Sequence, residues 1–468
     1  MTIGVCYPDL YAVEETFQLL KTGWVWYEPG GAYDVVIARK ADVPEYEGPL
    51  IDITRDDIFC IIRNALNAGR PNVHEPICDA ALDKLRGKLR EYFHLVEIPP
   101  APWDYTYMVA LTHDVDLLSV RERGWLSVGY ATFQCLCKGM VAEACRIFLA
   151  KCGACRDPWN LFPHWMEMEK ELGVRSTFFF LPFRNKPGAL SPSIRAGYYS
   201  LECAPIPELI RNGWEVGVHG IDNWINEISG MEEMGIFQRF GLENIGNRVH
   251  WLMSDENSLV ILDRAGYFYD STIGYNDDIG FRAGTLQVYR PAGSQSLVEL
   301  PLHIQDIALF GKSCWELSDT RWNKNPCLNL DRDEAVARVA ELMDYAGKYG
   351  GVLTILWHYE SIGFPSDIEY MYRMLVNRAH SEKAWIATAG DIVQWFLARR
   401  SFRIKCITVE KCLTISIVGD MKLSHFPACR LRVYISPDHI RSVDAQYVTG
   451  KDFIDIKMTH TPIRVLMK

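Results

Sequence analysis

The sequence predicts an α/β fold: a parallel (β/α) barrel, preceded by a small α/β domain and followed by a small all-β domain. Three observations carry that prediction. Between Tyr107 and Arg400, apolar runs of strand length alternate with amphipathic stretches of helix length, the rhythm of repeated β–α units. Several of those runs are nearly continuous in Val, Ile, Leu and Phe, as strands buried on both faces of a parallel sheet are. The alternation lasts about 290 residues, the size of one barrel.

Taken in order, residues 1–100 hold short apolar runs ("TIGVCY", "YDVVIAR", "PLIDI") between helical patterns such as "AVEETFQLLKTG" and "DAALDKLRGKLREYF", which predicts the N-terminal α/β domain. The Pro-rich "EIPPAPW" suits no element interior and reads as a linker. Within 101–400 the predicted strands are "YMVALTHD", "RSTFFFLP", "GWEVGVHG", "YFYDST", "LVELPLHI", "GVLTILWH" and "AWIATAG". Stretches such as "LFPHWMEMEKEL", "SLVILDRAG" and "DEAVARVAELMDYAGKYG" supply the helices between them. In 401–468 "FRIKCITVEKCLTISIVGD", "RLRVYISPD" and "FIDIKM" alternate polar and apolar at period two, predicting a β-sandwich-like domain.

Composition narrows the function. The chain has 468 residues, 49% of them hydrophobic, and a formal net charge of −10, which argues against sequence-independent nucleic-acid binding. The last segment, Ser401 to Lys468, is locally basic, with eleven Lys and Arg against six Asp and Glu. "MTIGVCYPDLYAVEE" has neither a basic leader nor a long apolar core, so a cytoplasmic setting is expected, with the fourteen cysteines reduced. "CLC" (Cys135 to Cys137) and "CGAC" (Cys152 to Cys155) are loosely compatible with a four-cysteine zinc site. The single residue inside the first pair and the helical stretch between the pairs favour packed or incidental thiols. Trp125 to Ala150 is the most apolar stretch, but Gln134, Lys138, Glu143 and Arg146 interrupt it. No transmembrane span is expected there; the segment reads as a buried core helix or, alternatively, as an amphipathic helix in peripheral contact with a protein or membrane surface.

The polar residues have a pattern of their own. Asp114 and Asp116 close the first predicted barrel strand, His219 the third, Asp270 the one near Thr272, and His358 the one near Leu356. In a parallel barrel these C-terminal ends meet on one face, where catalytic groups gather. Asp and neutral His are ligands for a divalent metal, zinc foremost, and a catalytic site of that kind uses three protein ligands and leaves room for water. Two carboxylates at i and i+2 can divide the work, one on the ion and one taking a proton from water, while His358 protonates a leaving group.

Four motifs in order then resemble those of the NodB-like polysaccharide deacetylases (carbohydrate esterase family 4): "LTHDVD", "EVGVHGIDN", "GNRVHWL" with the following "RAGYFYDSTIGYNDDIGFRAGT", and "TILWHY". The resemblance runs from about Tyr107 to Arg400. It implies a distorted (β/α) barrel, Asp114 as general base, Asp116 and His219 as metal ligands, Arg248 orienting the base, His358 as general acid and Asp270 as a supporting acid. The family's second motif usually ends in His where this chain has Asn223. His250, where many members carry Pro, is the expected third ligand; Asn223, water or loss of the metal are the alternatives.

Singly, each of these residues has a plainer reading. Asp114 and Asp116 suit a helix cap, either histidine suits a hydrogen-bonded core position, and His303 in "LPLHIQD" is read as structural. Tyr198, Tyr199, Trp214, Trp224 and Trp251 could line a sugar groove or belong to the core. Together the motifs imply metal-dependent hydrolysis of the acetamide of an N-acetylated amino sugar, in surface polysaccharide or glycan precursor metabolism, with an N-acetylated saccharide as partner. The alternatives are hydrolysis of another C–N amide bond on the same scaffold, or a non-catalytic carbohydrate-binding or assembly protein with a degenerate site.

Overall fold

The computed structural model describes residues 2–67, 74–137, 139–184, 189, 199–311, 327–363, 366–419 and 425–468. Its centre is a parallel sheet whose strands are β1 (Met108–Val115), β2 (Thr177–Phe180), β3 (Glu215–Gly220), β4 (Gly246–Val249), β5 (Tyr269–Asp270), β6 (Val298–Glu299), β7 (Ile304–Gln305), β8 (Val352–Leu356) and β9 (Trp385–Ala387). Their order is β6-β5-β4-β3-β2-β1-β8-β7, with β9 paired to the start of β1. Read around a circle, that is the succession of an eight-stranded barrel with one seam, between β6 and β7, left unpaired among the described residues. Every pairing in it is parallel, so the expected distorted barrel is the fold observed.

Two strands differ from the sequence prediction. "LVELPLHI" splits into β6 and β7 because Pro301 cannot donate to a ladder. β4, "GNRV", carries no apolar pattern that would predict it, yet it is fully buried; its polar side chains are met by specific partners described below. The helices Phe162–Glu171, Ser258–Ala265 and Arg332–Tyr349 lie where the 3.6-residue periodicity puts them. The last begins with a reciprocal capping box between Asp331 and Glu334.

Residues before Glu97 form a four-stranded parallel sheet in the order Val25–Trp26, Ile3–Val5, Val35–Ala38, Leu50–Asp52. Asp9 and Asp57 cap the two helices Leu10–Leu20 and Ile58–Leu66, whose buried residues share one core with its strands. Past Ser401 there are two four-stranded sheets, antiparallel throughout. One takes Val96–Glu97 as an edge strand, so the segment leading into "PPAPW" is paired with the C-terminal module. Glu97 is buried there against Arg86 at 3.0 Å and the Tyr434 hydroxyl at 2.8 Å.

The apolar stretch after β1 is two helices, α1 (Trp125–Cys137) and α2 (Val141–Lys151). They are separated by a turn in which Gly139 holds φ 75°, a conformation glycine adopts without steric cost. It is not a buried core helix: Leu126 is 94% and Phe133 61% exposed.

Candidate metal centre

The period of a strand explains "LTHDVD". Thr112 and Asp114 share one face of β1 and Asp116 continues it just beyond the strand, while His113 points the other way. His113 is buried in a separate polar nest, 2.7 Å from the Trp357 carbonyl and 3.0 Å from Glu169. Glu169 also accepts from Tyr372, Trp214 and Ser176, so that cluster is satisfied internally and takes no part in the site.

On the other face, β4 brings Arg248 under Asp114. The Arg248 guanidinium is fully buried. Its Nη1 donates to Asp114 Oδ1 at 3.0 Å and Thr112 Oγ1 at 2.8 Å, and its Nε and Nη2 donate to the Ser271 carbonyl and hydroxyl at 2.9 Å. A buried cation is tolerable only when its donors are met this way.

Asp116, His219 and His250 converge on one point. Their ligand atoms all lie within 4.8 Å of one another. His219 Nε2 is 3.4 Å and His250 Nε2 3.6 Å from Asp116 Oδ1. Ligands about 2.0 to 2.1 Å from a shared tetrahedral ion stand about 3.3 Å apart, so these spacings match a shared coordination sphere. Two further details fit an ion. His219 Nδ1 donates to the Arg248 carbonyl at 2.9 Å, which fixes the tautomer and leaves the Nε2 lone pair toward Asp116. Asp116 Oδ1 is buried without a hydrogen-bond partner among the described residues.

His250 reaches the site through an unusual turn. Immediately after it, Trp251 (φ 62°) and Leu252 (φ 50°) are both left-handed, a conformation that costs non-glycine residues on the order of 1 kcal/mol or more each. The Trp251 carbonyl is held by Asn276 at 2.8 Å.

Asn223 is fully buried. Its side chain folds back beside Gly220, where it fills the space a Cβ would need. Its amide donates to Asn247 at 2.6 Å and the Tyr267 hydroxyl at 3.1 Å. Asn247 in turn donates to Asp270 at 2.6 Å. Asp270 therefore sits one layer behind the ligands, also accepting from Thr272, and the structure does not bring it against Asp114. Its register partner across β5 and β6 is Glu299. Burial, and then the Asp270 charge, push the Glu299 carboxyl well above its ordinary range.

His358 follows β8. Its Nδ1 is 2.7 Å from Asp306 Oδ1, and its backbone N–H donates to Asp306 Oδ2 at 2.8 Å. Burial opposes the charged ring, but Asp306 wins and pushes His358 up to about 10. Sequence reading passed over Asp306, although "LPLHIQD" ends in a carboxylate just as the other strands do. It also passed over Glu360, which is buried with neither carboxylate oxygen partnered among the described residues. Burial and the nearby Asp116 charge push Glu360 well up.

His303 is an interior residue bonded to the Thr285 carbonyl and the Thr354 N–H, with burial pushing it down to about 4. Of the candidate groove aromatics, Tyr199, Trp214 and Trp224 are buried with their polar atoms bonded internally. Trp251 is 39% exposed beside His250, and Tyr198 lies outside the described residues. Cys135, Cys137, Cys152 and Cys155 form no ligand cluster among the described residues.

No family model and no curated protein matches the sequence. Among solved structures, the chain is similar to a Mycobacterium smegmatis protein named "putative polysaccharide deacetylase" at 19% identity, covering 67% of this chain and 100% of that one with a TM-score of 0.42. It is similar to PuuE allantoinase at 13% identity over 64% and 92% of the two chains, TM-score 0.40. A probable polysaccharide deacetylase from Pseudomonas aeruginosa PAO1 is 17% identical over 64% and 93%, TM-score 0.36. All three scores are below 0.5, and the fold and site above rest on this chain's own geometry.

Proposed function

We propose that the chain is a metal-dependent hydrolase that removes the acetyl group from an N-acetylated amino sugar. The observation that carries this reading is the meeting of Asp116, His219 and His250 at ligand spacing beside an Asp114 held by a fully buried arginine. A divalent ion held by those three residues would supply Lewis acidity toward a carbonyl oxygen and lower the pKa of a bound water; zinc suits two imidazoles and a carboxylate.

The chain's own residues divide the remaining work. Arg248 occupies Asp114 Oδ1, which leaves Oδ2, 3.7 Å from His219 Nε2, turned toward the ligand set to take the proton of the attacking water. His358, kept protonated by Asp306, gives a proton to the departing amine nitrogen as the C–N bond breaks and acetate forms. Trp251 offers a half-exposed aromatic face to a pyranose ring at the mouth. Glu360 offers a carboxyl group to a sugar hydroxyl, consistent with its unmet hydrogen-bonding capacity.

The test is acetate release from a panel of free and carrier-linked N-acetylated saccharides, comparing wild type with Asp114→Asn and measuring bound metal in both. Loss of release in the variant at unchanged metal content supports the reading. No acetate from any saccharide by wild-type protein carrying one ion per chain rejects it.

A further inference from the structure

The hairpin of α1 and α2 is built inside out. The residues it turns inward are small or few: Val128, Ala131, Cys135, Ala144, Ile147 and Ala150. Those it turns outward are large. Besides Leu126 and Phe133, Trp125 is 59%, Val141 57%, and Leu136 and Phe148 each 50% exposed. On α1 the exposed apolar positions recur every three or four residues, so they form one stripe along the helix. Isolated exposed leucines are ordinary, whereas a contiguous apolar face marks a contact surface.

Charge indicates what the contact is. From Arg121 to Asp157 there are six Lys and Arg against three Asp and Glu, in a chain whose net charge is −10. All three acids are already engaged: Asp157 accepts from Ser119 and the Trp159 N–H, Glu122 pairs with Arg184, and Glu143 pairs with Arg146. Lys151 stands 5.3 Å over the Trp125 ring, and the Arg146 side chain is 63% exposed. A second copy on this face would set basic rim against basic rim, whereas an anionic surface complements it. The helices, 13 and 11 residues long, are too short to cross a bilayer, and no described helix is long and apolar enough to do so. A short helix with an apolar stripe, a tryptophan and basic neighbours suits the plane of a membrane interface.

We propose that this hairpin docks the protein on an anionic lipid bilayer, with its apolar stripe at headgroup depth and the basic residues at its rim on the lipid phosphates. Trp125 follows Asp116 by nine residues, so docking holds the loop that leaves the metal-ligand position at the membrane. The proposal stands apart from the hydrolase reading, since docking needs no catalysis.

Co-sedimentation of the full chain tests it, with vesicles of phosphatidylcholine and phosphatidylglycerol compared with phosphatidylcholine alone. We expect partitioning about 10-fold stronger onto the anionic vesicles, weakening as salt is raised. It should fall by about 10-fold in Leu126→Gln/Phe133→Gln, and fall on anionic vesicles only in Arg146→Glu. Far-UV circular dichroism checks the fold; if a variant misfolds, the charge selectivity and salt dependence of the wild type decide. Equal or absent binding to the two vesicle types overturns the proposal. So does a dimer that Leu126→Gln/Phe133→Gln dissociates while the wild type binds no vesicle, which would make the face an interface between copies.

Discussion

Arg248 Nη1 lies 3.0 Å from Asp114 Oδ1 with both side chains buried, and the strand that delivers the arginine also delivers the carbonyl that fixes His219. One residue thus orients the proposed base and, through its backbone, a proposed ligand. Removing the guanidinium strands a buried carboxylate, which costs about 3 to 5 kcal/mol. Arg248→Met is therefore expected to destabilise strongly. Arg248→Met combined with Asp114→Asn should recover much of that loss, because the charge left behind is gone. Denaturant titration of the three variants measures the coupling, and additive losses would show that the two groups do not depend on each other.

The ligand set makes a separate, quantitative demand. If His250 is the third ligand, His250→Ala lowers zinc affinity by at least about 100-fold, more than the 10- to 100-fold typical of a supporting residue. Asn223→Ala is expected to cost less, through lost packing and through the two hydrogen bonds its NH2 group gives Asn247 and Tyr267. Calorimetric zinc titration ranks the two, and a larger loss in Asn223→Ala would move the third ligand to Asn223. Saturating zinc at about 100 times the dissociation constant should also stabilise the wild type by roughly 2.7 kcal/mol, an increment absent in Asp116→Ala.

How far this site was legible follows from which residues depend only on local chain geometry. Asp114, Asp116, His219 and His358 stand at the ends of apolar strands, and strand period with barrel topology is enough to place them. β4 was not predicted because "GNRV" has no apolar signature; its burial is made possible by Thr112 and Asp114 of β1 and by Ser271 just after β5. The destination of Asn223 depends on Tyr267 and Asn247, and no spacing rule encodes those partners. Asp306 could have been found by the same strand-end rule that found the others. The α1–α2 stretch misled for a different reason: an apolar helix has the same composition whether it faces a core or a membrane, and only exposure tells them apart.

The pairing of His358 with Asp306 predicts a pH dependence. The proposed acid works only when protonated, so activity falls as pH rises through the His358 pKa, held at about 10 by Asp306. A bound cation acts in the opposite direction, so the informative quantity is the change between variants. Asp306→Asn removes the charge that raises the pKa and should move the basic limb of the kcat/KM profile down, toward the ordinary histidine value of about 6.5. A basic limb that stays in place would assign it to a group other than His358.

Glu299 offers a prediction on stability that needs no substrate. Buried opposite Asp270, its carboxyl is held well above the ordinary range, so the folded chain keeps a proton that the unfolded chain releases above about pH 4.3. Between that pH and the raised folded pKa the native state binds more protons than the unfolded state, and stability therefore falls as pH rises, by about 1.4 kcal/mol for each pH unit in that window. Glu299→Gln keeps an oxygen for the Ile273 N–H, which donates to Oε1 at 2.9 Å, and carries no proton to lose. The variant should match wild type near pH 4 and exceed it by a margin that widens as pH rises toward the folded-state pKa. Denaturant titrations across that range read the margin directly, and a constant difference would mean that Glu299 is not the group retaining the proton.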